Sequence, residues 1–337
     1  MSKLKKFIIK IKNMNNFKKI FFVFILLFIS LLSYRIFTIS NTNDLTRNIK
    51  RKNLKVSTAL PNVEKILNSS CKNFLSKQNI DLEVQYLPGS FHETVNLVEC
   101  GKSDAVISCH MPWILMNQKN EKKWSNIVPI QPFYIASFGI YKHQNIDLNF
   151  NSNLKVLIPD DDVNRTFALL YLKKYGLVEL NDDNIRNESI SFILSLENLK
   201  SNSKLNKNNF ECISYGQIEQ AFQKRVNNNY QYSLAVNFPS FMKDYNDEKI
   251  NSDNHNFSNT IKNDNFLFED KEFNIFAITL MSRKNNQDNE EIKYLKESLK
   301  QDEIVKFYNE NCKHIGIIIY EEDKIKDIIN NIKNIKI

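Results

Sequence analysis

Apolar positions along this chain follow three patterns. The first is a nearly unbroken run, Ile20 to Tyr34, preceded by Lys18 and Lys19. A membrane-spanning helix needs roughly 20 apolar residues, and extension through Arg35 to Ile39 reaches that length. Thr38-Ile39-Ser40 is the one conceivable signal-peptide cleavage site there, so an uncleaved anchor over residues 20–39 is the expectation. The second pattern is short apolar runs, some strictly alternating, such as Leu82, Val84 and Tyr86. The third is helical spacing, which fills the segments between those runs.

Taken in order after a polar tether at 40–53, Leu54 to Leu60 reads as a strand and Pro61 opens a helix that carries Val63, Ile66, Leu67, Phe74 and Leu75. After the strand at Leu82 to Tyr86, Pro88-Gly89 turns the chain. Ser90-Phe91-His92-Glu93 has the Ser-x-x-Glu form of a capping box, and the helix it opens stops at Gly101. Asp104 to Ser108, Ile127 to Pro129 and Ile135 to Tyr141 read as further strands. Alternation of short strands and helices predicts a largely parallel sheet covered by helices.

The richest stretch is Leu154 to Leu180. A strand at Leu154 to Ile158 ends at Pro159, which cannot donate to a ladder, and three aspartates follow. Asp162 or Asn164 is placed to cap a helix. Val163, Phe167, Tyr171 and Tyr175 recur every four residues, and Gly176 stops that helix behind Lys173 and Lys174. A strand, a polar turn and a helix N-terminus in this order form a ready anion site, or else a plain α/β unit without a ligand. Further on, Leu199 to Asn209 reads as an inserted loop, and a helix beginning at Ile218 leads to a strand over Ser233 to Val236. Asn251 to Asn265 is a second polar insertion. A strand at Ile275 to Met281 and two helices, Ile292 to Leu299 and Ile304 to Tyr308, close the body.

A formal charge of +8 raises the question of a nucleic-acid partner. Residues 1–40 hold seven lysines and Arg35 without an acid, which leaves 46 − 8 = 38 basic against 38 acidic groups elsewhere. The neutral remainder carries no nucleic-acid footprint. The lysines place residues 1–19 in the cytoplasm and the body outside. Five widely spaced cysteines with no Cys-x-x-Cys pair indicate neither a zinc site nor a disulfide framework. No hydrolase elbow, phosphate loop or HExxH helix is present, so neither an enzyme, a metal nor a cofactor is expected. The adjacent carboxyls of Asp160 to Asp162 point in different directions and read as a solvated turn. Cys109 and His110 would leave a strand on opposite faces, which argues against a thiol nucleophile.

Ile158-Pro159-Asp160-Asp161, Asn164, Ala168 and Leu169 resemble a segment of the NlpA lipoprotein family, the methionine-binding components of bacterial ABC importers. There a strand ends in Ile-Pro-Asn-Asp, an Asn follows, and Gly/Ala-Arg-Ala-Leu opens the helix. Cys109-His110-Met111-Pro112-Trp113 is similar to the family's Gln-His-x-Pro-Tyr, with Ser108 in place of a Phe. Phe91 stands where the family has a site Tyr. Asn237 matches the first residue of its Asn-x-Asn crossing, with Pro239 at the second, and Phe266 to Lys271 resembles its Glu-Asp-Lys segment. The likeness runs from about residue 54 to 318, but the family's lipid-attachment Cys has no counterpart behind the apolar run.

The resemblance implies an α/β, two-lobed periplasmic-binding-protein-like (type II) fold with a hinge. Its first lobe would comprise 54–138 and its second 139–237, with 238–337 returning to the first. It implies a solute receptor for a methionine-like amino acid, delivering to a permease and its ATPase. Phe91, Trp113 and Phe167 would form the side-chain slot, and His110 and Asn237 would supply hydrogen bonds. The family's ligand-contacting Arg falls on Phe167, so Arg165 would meet the carboxylate. This requires the helix to start late, with Thr166 as its cap. Two other readings are an interaction protein that keeps the fold without a ligand, and an unrecognised hydrolase on the same scaffold.

Overall fold

The computed structural model describes residues 27–28, 30–35, 51–142, 154–181, 190–191, 193–227, 229–242, 256–257, 271–313 and 315–336, with Asn15. The chain divides into two compact units, Met1–Lys52 and Asn53–Ile337. In the first, residues 27–28 and 30–35 are helical, and Leu27, Phe28, Leu31, Leu32 and Tyr34 are exposed. Among the described residues no helix is long and apolar enough to cross a membrane; the rest of the expected 20–39 span lies outside them.

From Asn53 the second unit takes in the rest of β1 (Lys52–Thr58) and then α1 (Pro61–Ile66), whose Pro61 sits in the first turn, where a missing N–H costs nothing. A π-helical turn, Leu67–Cys71, joins α1 to α2 (Lys72–Lys77). Next come β2 (Ile80–Tyr86), α3 (Phe91–Glu99), β3 (Ala105–His110), α4 (Met111–Glu121) and β4 (Ile127–Ala136). These strands belong to one six-stranded sheet, ordered β14-β4-β13-β3-β1-β2, with β13 (Ala277–Arg283) and β14 (Gly316–Ile318) arriving late in the chain. Gly316 lies so close to the Ile135 carbonyl that no side chain would fit there.

The other large sheet has five strands, ordered β12-β5-β11-β6-β8. It takes β5 (Gly139–Lys142), β6 (Val156–Pro159), β8 (Phe210–Ile213), β11 (Leu234–Asn237) and β12 (Asn256–Phe257). Between these lie α5 (Asp162–Lys174), β7 (Ile190–Ser191), α6 (Ile218–Phe222) and the small ribbon of β9 (Arg225–Val226) and β10 (Asn229–Tyr230). The chain closes through α7 (Lys271–Asn274), α8 (Glu290–Ser298), α9 (Asp302–Asn311), α10 (Glu322–Lys333) and β15 (Ile335–Lys336), which pairs with β7. The helix α10 goes beyond the two closing helices expected, although Ile325, Ile328 and Ile332 give it a buried face at helical spacing.

Both sheets are mixed, not largely parallel. β1 runs parallel to β3, and β6 parallel to β8 and β11, but β13 is antiparallel to β3 and β4, as β14 is to β4. In the second sheet β5 is antiparallel to β11 and β12. Among these, β4 leaves the first sheet, β5 enters the second and β13 returns to the first, a direction that the local pattern does not encode. β4 extends the strand expected at Ile127 to Pro129 unbroken through Pro132 to Ala136, while the strand expected at Ile135 to Tyr141 breaks at Ser137-Phe138 and is divided between β4 and β5. The register of β4 against β13 shifts at bulges, where a missing N–H is tolerated.

The first crossing between sheets is Ser137-Phe138 and the second follows Asn237. They lie side by side, since Asn237 pairs with Gly139 and the rings of Phe138 and Phe238 are 4.2 Å apart. The core is layered accordingly. One cluster packs α1, α2, α8 and α9 on one face of the six-stranded sheet. A second runs from its other face past the crossings to α5, and a third lies under α6.

Candidate functional site

His110 ends β3, at the carboxyl edge of the first sheet, and is also the N-cap of α4. Its Nδ1 accepts from the Trp113 N–H at 3.4 Å, so the ring's proton sits on Nε2. That Nε2–H donates to Asn164 Oδ1 at 3.2 Å, a bond from the first lobe to the second. Burial pushes the imidazole down to about 4, against the smaller upward pulls of Asn164 and the backbone, so His110 is neutral at physiological pH.

Asn164 owes its position to α5. The helix starts at Asp162 because Asp161 caps it: Asp161 Oδ1 accepts from the Asn164 N–H and Oδ2 from the Asn164 side-chain amide, both at 2.9 Å. The cap is thus neither Asp162 nor Asn164, as the sequence led one to expect. Burial raises the Asp161 carboxyl, and the two Asn164 N–H groups partly offset that rise. At the other end Gly176, with φ +65°, stops the helix as anticipated.

Around the His110–Asn164 pair lies a pocket with about 560 Å³ of empty space, part of it open to solvent. Phe91 and Trp113 line it from the first lobe, as do the polar Ser108 and Cys109. Tyr215, Phe238 and Phe241 line it from the second lobe and its crossing. Phe91 meets Tyr215 edge-on at 5.9 Å between centroids, and Tyr215 meets Phe241 at 5.0 Å. Burial pushes the Tyr215 phenol well up, so it stays a neutral donor and acceptor. Among the described residues no charged side chain lines this pocket. The Cys109 thiol is likewise pushed far up by burial and is not a thiolate.

Of the residues singled out from sequence, Phe91, His110 and Trp113 converge here. The other three do not line the pocket. Arg165 falls inside α5 proper and points away, donating to the Asp160 carbonyl at 2.8 Å and the Leu194 carbonyl at 3.5 Å and pairing with the Asp162 carboxylate. Thr166, expected as a cap, instead spends its hydroxyl on the Asp162 carbonyl and accepts the Leu194 N–H. Phe167 is fully buried and stacked on Phe276 at 4.2 Å and 15°. Asn237 is also fully buried; its Nδ2 donates to the Tyr215 carbonyl at 3.0 Å, and its Oδ1 has no partner among the described residues.

The sequence reading missed Asn164 as a pocket residue and missed Tyr215, Phe238 and Phe241 altogether. A usable signal existed for Tyr215. It follows β8, a parallel strand of the second sheet, and ligands of open α/β sheets gather at such carboxyl ends.

Solved structures share this architecture. A YaeC-family lipoprotein from Enterococcus faecalis superposes with a TM-score of 0.59 at 21% identity, covering 79% of this chain and 99% of its own. A nutrient-binding protein from Burkholderia cenocepacia, bound to methionine, does so with a TM-score of 0.59 at 16% identity and coverage of 79% and 99%. At these identities the likeness shows the two-lobed α/β fold. In sequence, a probable D-methionine-binding lipoprotein MetQ of Haemophilus influenzae is 24% identical over 244 residues, 71% of this chain and 77% of the relative. The NlpA lipoprotein model matches residues 54–318, most of the chain from β1 to the end of β14, and the chain therefore belongs to the NlpA lipoprotein family.

Proposed function

We propose that this chain is the solute-binding component of an ABC importer. It captures a small solute with a methionine-like side chain, an amino acid or a close derivative, between its two lobes. The observation that carries this reading is the pocket at the carboxyl end of β3 and the N-terminus of α5, walled from both lobes and crossed by the His110–Asn164 hydrogen bond. Rings of Phe91, Trp113, Phe238 and Phe241 supply apolar surface, while His110, Asn164 and Tyr215 supply polar atoms. Sites of this kind, mostly apolar with a few placed polar groups, suit small ligands. Motion about the paired crossings at Ser137-Phe138 and Asn237-Phe238 would open and close it. The protein has no catalytic step in this role and needs no cofactor. Residues 20–39 anchor it in the cell membrane with the body outside, where it hands solute to a permease driven by its ATPase.

A ligand that binds only the folded state stabilises it by about 2.7 kcal/mol at one hundred times Kd. Screening L- and D-amino acids and their derivatives at millimolar concentration should therefore raise the melting temperature by a few degrees for one structural class. Native mass spectrometry of freshly isolated protein should show the retained solute. No shift and no retained mass would shift the weight to the second reading, an interaction protein that keeps the fold without a ligand. What favours that reading is that the lobes already touch through His110–Asn164 and through Phe91 against Tyr215 and Phe241.

A further inference from the structure

Resting on the solute-binding reading, we infer that Trp124 and His92 are positioning residues, which hold the Trp113 ring as a fixed wall of the pocket. Trp113 lines the pocket from the first turn of α4. Its backbone is fixed, because its N–H donates to His110 Nδ1 at 3.4 Å. That bond leaves the indole free to turn about its side-chain torsions, so the ring is held by what packs on it. Trp124 lies 5.0 Å away between centroids at 38°, and His92 meets Trp113 edge-on at 4.7 Å and 73°. His92 also packs on Trp124 at 5.2 Å. Each of the three rings thus touches the other two, at separations where aromatic pairs attract.

The backbone of Trp124 argues that its ring is wanted there. Its φ is +58°, in the left-handed region that bulky side chains rarely adopt. It is nevertheless buried and tied to several elements at once. Its Nε1–H donates to Asn96 Oδ1 of α3 at 2.7 Å. Its carbonyl accepts from Gln118 Nε2 of α4 at 2.6 Å and from the Ile127 N–H of β4 at 3.0 Å. Strain of this kind persists only where the surroundings over-determine it, and it gathers at ligand sites. Glycine or asparagine would relieve it, but neither would put a ring behind Trp113. His92 follows Phe91 directly, so the first turn of α3 gives one ring to the pocket and a second to steady Trp113. An apolar ligand side chain then meets an indole already in place and does not have to order it on binding.

The chain holds two tryptophans, so indole spectra of the full-length protein report on this group alone. Circular dichroism of the unliganded protein should show the paired bands of opposite sign that two coupled indoles give. They should lose much of their amplitude in His92→Ala and regain it in His92→Phe. In Trp124→Phe and Trp124→Ala, Trp113 is the one indole left, and acrylamide should quench its fluorescence more strongly in the alanine variant. Calorimetric titration with L-methionine should give an affinity at least about threefold weaker for His92→Ala than for the wild type or His92→Phe. Unchanged dichroism in His92→Ala, equal quenching in the two Trp124 variants, or an affinity unchanged in His92→Ala overturns the inference and leaves the solute-binding reading in place. His92 is exposed, so the His92 measurements decide even where Trp124→Ala fails to fold. No heat from L-methionine in the wild type counts against the solute-binding reading, and the spectra then decide by themselves whether the ring is held.

Discussion

At the scale of single residues, His110 couples the site to pH. The unfolded chain protonates this histidine near its ordinary value of 6.5, whereas the folded protein resists protonation until about 4. Below 6.5 the unfolded state therefore binds more protons, and stability falls as pH drops through the window from 6.5 to about 4. At roughly 1.4 kcal/mol per pH unit, the loss attributable to His110 approaches about 2–3 kcal/mol near the bottom of that window. Urea denaturation of the wild type and of His110→Gln at neutral pH and near pH 4.5 should show a steeper fall for the wild type. Arg165 makes the opposite kind of prediction. Because it braces the Asp160 turn and the Leu194 segment instead of facing the pocket, Arg165→Ala should cost about 1 kcal/mol of stability. It should leave ligand affinity, measured by calorimetry, within about twofold.

At the scale of elements, two helix starts that look alike in sequence behave differently. Asp161 caps α5 with both carboxyl oxygens, while Ser90, at the Ser-x-x-Glu opening of α3, makes no side-chain capping bond. Asp161→Ala should therefore destabilise the fold by about 1–2 kcal/mol, and Ser90→Ala should be nearly silent, both read from denaturation midpoints. Asp161→Ala should also loosen the pocket, because the Asn164 amide that meets His110 loses the acceptor that orients it. The π-helical turn between α1 and α2 is likewise an element-scale feature. Nothing in its Leu67-Asn68-Ser69-Ser70-Cys71 sequence announces it, and helical spacing of the apolar residues runs through it unbroken.

At the scale of the whole molecule, the proposed outward placement of the body rests on the lysine-rich start and the neutral remainder of the chain. Protease added to intact cells should digest the body, followed by antibody; protection until lysis would remove the outward assignment. Within the body, much was legible before any coordinates. The end of α5 at Gly176, the Pro61 start of α1, the crossings near 138 and 238 and the convergence of Phe91, His110 and Trp113 follow from prolines, glycines, apolar spacing and family resemblance. The reason is physical: steric limits at Pro159 and Gly176 and the 3.6-residue period act between neighbours, so the chain carries them locally. What only the tertiary structure decided depends on residues far apart. The direction of β13 beside β3 and the turning away of Arg165 toward Leu194 belong to this kind. So does the meeting of Tyr215 and Phe241 with Phe91. The His110–Asn164 bond spans 54 positions, and the sequence determined both partners' elements without determining that they would touch.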